Sequence, residues 1–298
     1  MVKKAHFVTG KGGVGKSLIS AVLARYLSQN SPLDTNRKQE KEKILLAELN
    51  EQSFFKDFLG LKRISYKPLP WLEGIDISQW SPQECLREYA LYLLKLESLY
   101  KLFFENPVSK SLIQVAPGLE ELALLGKITS SPRSHGPPMN YDQLVIDSFA
   151  TGHFISLFRA PAAMAEAVQF GPMGEQSRGI DRWLRDKDFT HLHIVTIAEE
   201  LPVTETIELY KTLKKEFGLI ATVYLNKLTR LTSADLKNLN PELTESLEYI
   251  IDNEKEAKKN LKDAQIEYIE LPLVNSLEPS ELIDHLAQEM KKAEAAID

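Results

Sequence analysis

The stretch VTGKGGVGKS, residues 8–17, places four glycines and two lysines in ten positions directly behind a short apolar run. Gly10, Gly15, Lys16 and Ser17 satisfy the spacing G-x-x-x-x-G-K-[S/T] between an expected strand at Ala5–Thr9 and an expected helix at Lys16–Gln29. Glycines there permit unusual dihedrals and close approach, so successive backbone N–H groups line a concave surface that ends on a helix N-terminus, where anions are favoured. The expected cradle is Gly10, Gly12, Gly13, Val14, Gly15, Lys16, Ser17 and Leu18. Lys16 is then placed to neutralise β- and γ-phosphate charge, and the Ser17 hydroxyl to meet Mg²⁺, so ATP and Mg²⁺ are the expected cofactors.

Around this loop, short β-branched runs alternate with longer helical patterns, the signature of βαβ units. Strands are expected near Ile44–Leu49, Leu112–Val115, Leu144–Asp147, Leu192–Ile197, Ile220–Leu225 and Ile266–Leu271, and crossover helices at Val203–Phe217 and Thr244–Ala264. The expected fold class is α/β of the P-loop NTPase type, a mostly parallel sheet flanked by helices with a helical subdomain beside it. A single domain over residues 1–298 is expected, with a helical insertion at about 54–128 and a further helical segment at about 154–185. Within these, residues 84–104, 118–128 and Phe154–Met173 read as helices. Two polar stretches, 28–43 and 129–140, read as surface loops without chemistry. The stripe Leu282, Ile283, Leu286 and Met290 reads as a helix face docked on the domain.

Composition narrows the function classes. A net charge of -6 argues against a nucleic-acid partner. One cysteine, Cys85, excludes an intrachain disulfide and suits a reducing compartment, with a cytoplasmic location expected. No apolar run reaches the length of about 18 residues needed to span a bilayer, and residues 1–20 lack the pattern of a signal peptide.

The run KGGVGKS (11–17) resembles the deviant Walker A loop of the dimeric ATPases that include MinD, ParA, nitrogenase iron protein and ArsA. That resemblance gives Lys11 the role of reaching a neighbouring subunit's phosphates. YDQLVIDSFATGHFISLFRAP (141–161) resembles the second switch of the ArsA and tail-anchored-protein-targeting ATPases, implying Asp147 as a magnesium-side carboxylate and Thr151, Gly152 and His153 as switch residues. IVTIAEELPVTETIELYKTL (194–213) is similar to another family segment, with Ala198 where proline is common, and APGLEELALL (116–125) also recurs in the group. VYLNKL (223–228) implies Asn226 as the base-recognition residue, with Pro272 and Leu273 as further adenine-side contacts. A homodimer, or a heterodimer with a related ATPase, is implied.

The first switch departs from the family pattern. AELNEQSFF (47–55) carries Asn50 where an aspartate is expected, two residues after Glu48. Asparagine can orient water but cannot accept its proton, so slow hydrolysis is expected, with Glu48 or Glu51 as a substitute base. Arsenite handling needs several thiolates, which Cys85 alone cannot supply; it reads as a buried apolar residue. The C-x-x-C zinc clasp of the targeting ATPases is absent. His191 and His193 share a strand face and read as structural. The leading expectation is an ATP-driven dimeric switch with an unknown cargo, a protein or a membrane-protein partner. A nucleotide-gated binding module, a ParA/MinD-like positioning protein and a metal-cluster chaperone are the alternatives.

Overall fold

The computed structural model describes residues 2–30, 42–50, 52–94, 118–232, 234–236, 240–275 and 278–295. Eight strands form one sheet: β1 (Lys4–Gly10), β2 (Ile44–Glu48), β3 (Leu69–Leu72), β4 (Ile75–Gln79), β5 (Gln143–Ala150), β6 (Thr190–Ile197), β7 (Ala221–Leu228) and β8 (Tyr268–Pro272). Their order is β3-β4-β2-β5-β1-β6-β7-β8, parallel throughout except for the β3–β4 pair.

Side chains of β1 alternate between two cores, as the period of two requires. Phe7 packs with Phe154, Phe158 and Leu192 on one face, and Val8 with Ile19, Val22 and Leu46 on the other. Because helices cover both faces, the inner strands are apolar in continuous runs. The helix α1 (Lys16–Asn30) lies on the Val8 face together with the helix Pro279–Glu294. Ile283, Leu286 and Met290 of the latter are buried, so the C-terminal stripe does dock on the domain. On the other face lie the helices Leu119–Ile128, Thr151–Ala167 and Glu200–Phe217.

Connections set the place of the site. From β1 the chain passes to β2 on one side, and later from β5 over β1 to β6 on the other, which makes the C-terminal end of β1 a topological switch point. Crevices for ligands open at such points.

Several expectations change. Residues 54–128 are not helical throughout, because β3 and β4 extend the sheet there. Four- and five-residue strands, one containing Pro70, give little periodic signal. The stretch 129–140 is not simply a surface loop: Ser130–Arg133 forms a helical turn, and Thr129, Ser130 and Met139 are buried. The helix expected at Phe154–Met173 is two helices, Thr151–Ala167 and Gly171–Leu184, separated where Gly171 takes φ 86°. The strand expected at Leu112–Val115, the later half of the helix expected at 84–104 and most of the loop at 28–43 lie outside the described residues. Among the described residues, no helix is long and apolar enough to cross a membrane.

Candidate functional site

The glycine loop leaves β1 against β6. Gly10 has φ 146°, and a Cβ built on it would lie 2.1 Å from the Val195 carbonyl oxygen. Gly15, at φ 97°, would bring a Cβ to 2.7 Å from Asn226 Nδ2. The far side of the loop is held by two residues at the end of β7. Asn226 Nδ2 donates to the Val14 carbonyl at 3.0 Å, and Lys227 Nζ donates to that of Gly13, also at 3.0 Å. Asn226, expected as the base-recognition residue, is thus buried against the glycine loop, and its side chain fixes the loop's shape.

Lys16, at the start of α1, donates from Nζ to the Lys11 carbonyl at 3.1 Å. Burial lowers its pKa, and the charge of Asp147 acts the other way. Asp147 sits beside Ser17 and Ser20, with Ser20 Oγ donating to Oδ1 at 3.3 Å. Burial pushes its carboxyl up to about 6, opposed by Ser17, Lys16 and Ser20.

Glu48, paired in register with Asp147 across β2 and β5, is fully buried. Its Oε1 accepts the Phe54 N–H at 2.6 Å, while Oε2 has no hydrogen-bond partner among the described residues. Burial pushes its carboxyl up to about 7 despite that bond, and the neighbouring Asp147 adds to the rise. Asn50 Nδ2 reaches Asp147 Oδ2 at 3.5 Å, and the Asn50 carbonyl is held by Gln79 Nε2 at 2.8 Å. Glu51 lies outside the described residues.

Two carboxyl groups displaced upward by burial stand side by side at strand ends next to a serine hydroxyl, with the Lys16 ammonium as the positive charge that acts on Asp147. The hard oxygen donors of Ser17 and Asp147 suit Mg²⁺, which takes few protein ligands and keeps its waters. The residues present therefore fit that ion.

Lys11 does not extend into solvent. Its ammonium pairs with Glu205 Oε1 at 2.5 Å, and Glu205 Oε2 accepts from Thr151 Oγ1 at 2.9 Å. Glu205 thereby ties the loop to the start of the helix Thr151–Ala167, and the Lys11 bond holds its carboxyl below the usual range. Gly152 has open space where a side chain would stand. His153 stacks on Phe149 with ring centroids 3.9 Å apart. Leu273 follows β8 and is 44% exposed. With Lys227, Leu201 and Tyr249 it lines an open cleft beyond the ends of β6 and β7, with about 1450 Å³ of space not filled by atoms, open solvent included. Pro272, the last residue of β8, is registered with Leu228.

Sequence reasoning gave Glu205 and Lys227 no role. Glu205 stood within the quoted segment 194–213, and Lys227 directly follows Asn226. Only the fold shows that both meet the loop. The histidines belong to a different feature. His6 Nδ1 and His193 Nε2 are 3.0 Å apart, His6 Nε2 meets Gln143 Oε1, and His193 Nδ1 meets the Tyr224 hydroxyl, a buried chain across four strands. Among the described residues no cluster of three metal-ligating side chains occurs. Cys85 is 2% exposed, and burial pushes its thiol up to about 12.

No family model matches the chain. Curated relatives do. ATPase BagA of Mycobacterium tuberculosis is 28% identical over 233 residues, covering 75% of this chain and 65% of its own length. An arsenical pump-driving ATPase of Acidiphilium multivorum is 24% identical over 191 residues, 63% of this chain and 31% of its own. The ATPase get3 of Schizosaccharomyces japonicus is 25% identical over 186 residues, 58% of this chain and 51% of its own. The chain thus spans just under two thirds of the length of BagA, and less of the other two. Their shared family is the one its motifs resemble.

Proposed function

We propose that this chain, a relative of the arsenical-pump and Get3 ATPases, binds MgATP in the 10–18 loop and hydrolyses it as a switch between two subunits. The observation that carries this reading is the pairing of Glu48 and Asp147 beside Lys16, two buried carboxyl groups displaced upward at the mouth of an anion-binding loop. Bound Mg²⁺ would supply charge stabilisation to the transferring phosphoryl group.

The chain's own residues divide the remaining work. Loop amides and Lys16 hold the phosphates, and Ser17 and Asp147 hold the cation. Glu48, with a pKa of about 7, is tuned to accept a proton at neutral pH, and Asn50 orients the attacking water. Asn226 shapes the loop with its amide nitrogen, which leaves its oxygen for the adenine amino group. Pro272 and Leu273 border the base. Lys11 exchanges Glu205 for the partner subunit's terminal phosphate, and Thr151, Gly152 and His153 move with that exchange. The negative net charge supports a partner other than nucleic acid, and the single cysteine supports a cytoplasmic setting.

Turnover and solution mass in the presence of MgATP test the reading. Lys16→Ala is expected to lower turnover at least about 100-fold, as loss of a transition-state charge partner does. Glu205→Gln is expected to leave Lys11 unpaired and to raise turnover, with half-maximal pairing of subunits at several-fold lower protein concentration. A wild type that binds no ATP, or one that stays monomeric and whose turnover is indifferent to Lys11→Ala, would sink the proposal. A silent wild type revived by Asn50→Asp would instead favour a nucleotide-gated binding module, the reading that Asn50 itself supports.

A further inference from the structure

Away from the glycine loop, the helices Pro82–Leu94, Leu119–Ile128 and Gly171–Leu184 enclose a cavity with about 850 Å³ of space not filled by atoms, its mouth included. Its walls are apolar, with Leu119, Leu122, Ala123 and Ile180 among them. Two cations border it. Lys127 is neutralised by Glu88 at 2.5 Å and lies over the rings of Tyr66 and Trp80.

Arg133, by contrast, has no carboxylate partner among the described residues. Its Nε donates to Thr129 Oγ1 at 2.9 Å, one Nη2 hydrogen to the Gly126 carbonyl at 2.8 Å, and one Nη1 hydrogen to Gln176 Oε1. A guanidinium carries five N–H donors, so each terminal nitrogen keeps one hydrogen that no described acceptor meets. A mostly buried cation without a counter-charge is unfavourable unless something anionic reaches it. The two remaining donors, one on each terminal nitrogen, are available to the oxygens of a carboxylate.

The mouth adds a second, separate observation. Met173 lines the cavity and is 43% exposed, and Phe170, three residues before it, is 87% exposed at the turn where Gly171 takes φ 86°. An apolar side chain that both lines an apolar cavity and reaches water, as Met173 does, marks an entrance for an apolar chain.

We infer that this cavity binds a single-chain fatty carboxylate, its tail between the three helices and its head on Arg133. The site is separate from the nucleotide loop, and the inference stands whether or not the chain hydrolyses ATP.

Calorimetric titration of the full-length, nucleotide-free protein tests it, using laurate and dodecyltrimethylammonium below their micellar concentrations. These probes share a twelve-carbon tail and carry opposite charge. Laurate is expected to saturate at one per chain and to bind at least about tenfold tighter than the cation. Arg133→Gln is expected to remove that preference with far-UV circular dichroism unchanged, and Ala123→Trp, which fills the cavity, to abolish laurate binding. Absence of saturable laurate binding, equal affinity for the two probes, or an unchanged laurate affinity in folded Arg133→Gln would overturn the inference. If Arg133→Gln does not fold, Arg133→Lys decides, because it keeps the charge and loses the two terminal nitrogens; unchanged affinity there also overturns it.

Discussion

Gly10→Ala is expected to cost on the order of 4 kcal/mol or more of stability, while Gly12→Ala, two positions on, changes it by less than about 1 kcal/mol. Gly10 is the first glycine of the G-x-x-x-x-G-K-[S/T] spacing and Gly12 stands at one of its open positions, but the spacing alone does not give the physical cause of that difference. What distinguishes them is the sheet. Gly10 is the last residue of β1 and is registered with Val195 of β6, and a Cβ there meets a backbone oxygen at 2.1 Å. Backbone in the middle of a parallel sheet cannot give way without breaking its own ladder, and φ 146° is strained for any L side chain. Gly12 has nothing within 4 Å among the described residues and no unusual φ. An alanine there restricts the unfolded chain and meets no atom in the folded one. Urea midpoints of the two variants beside the wild type check the contrast. Comparable losses at the two positions would mean that the loop, and not its contact with β6, sets the requirement for glycine.

How much of this architecture is legible in the sequence depends on how local each cause is. The loop and α1 are local: glycines, a lysine and a helical run in order, and the structure places them as read. Interior strands of a parallel sheet are apolar runs bounded by turns, which is why β1, β2, β5, β6, β7 and β8 can be located from residues 5–9, 44–49, 144–147, 192–197, 220–225 and 266–271. The edge hairpin β3–β4 is not local in this sense. Leu69–Leu72 is strand because Ile75–Gln79 lies beside it, and the latter because β2 does. The same holds for the site. Asp147 and Glu48 are legible as strand-end carboxylates, but their adjacency is a register, Glu48 opposite Asp147, that no spacing of residues 48 and 147 encodes. Glu205 and Arg133 are further cases. Each is an ordinary charged residue on a helix until the fold puts Lys11 against the first and an apolar cavity against the second.

The register has a thermodynamic consequence that Glu48→Gln exposes: the nucleotide-free variant is expected to be more stable than the wild type at pH 8, by about 1–2 kcal/mol. Burial raises the Glu48 carboxyl from 4.5 to about 7, which corresponds to a penalty of up to about 3 kcal/mol for holding it ionised in the folded state. The amide removes that penalty and still accepts the Phe54 N–H, but its nitrogen inherits the position of the orphaned Oε2, which takes back about 1–2 kcal/mol. The sign of the pH dependence follows from the raised folded pKa. Protonation of Glu48 stabilises the folded wild type fully below pH 4.5, and this contribution is lost as pH rises through about 7. The variant's advantage should therefore be complete at pH 8 and fall steadily to pH 4.5. The buried histidines act in the opposite sense. Burial lowers the pKa of His6 and holds His193 at about 3, so their neutral rings contribute stability above about pH 6.5 that is lost on acidification. Because wild type and variant share them, the difference between their urea midpoints across that pH range isolates the carboxylate. A difference independent of pH would mean that Glu48 is not held near neutrality, and it would remove the tuned proton acceptor from the hydrolytic reading. Greater stability together with lost turnover would show a carboxylate kept at an unfavourable position for the chemistry it performs there, the trade-off expected where a site requires charge in a dry place.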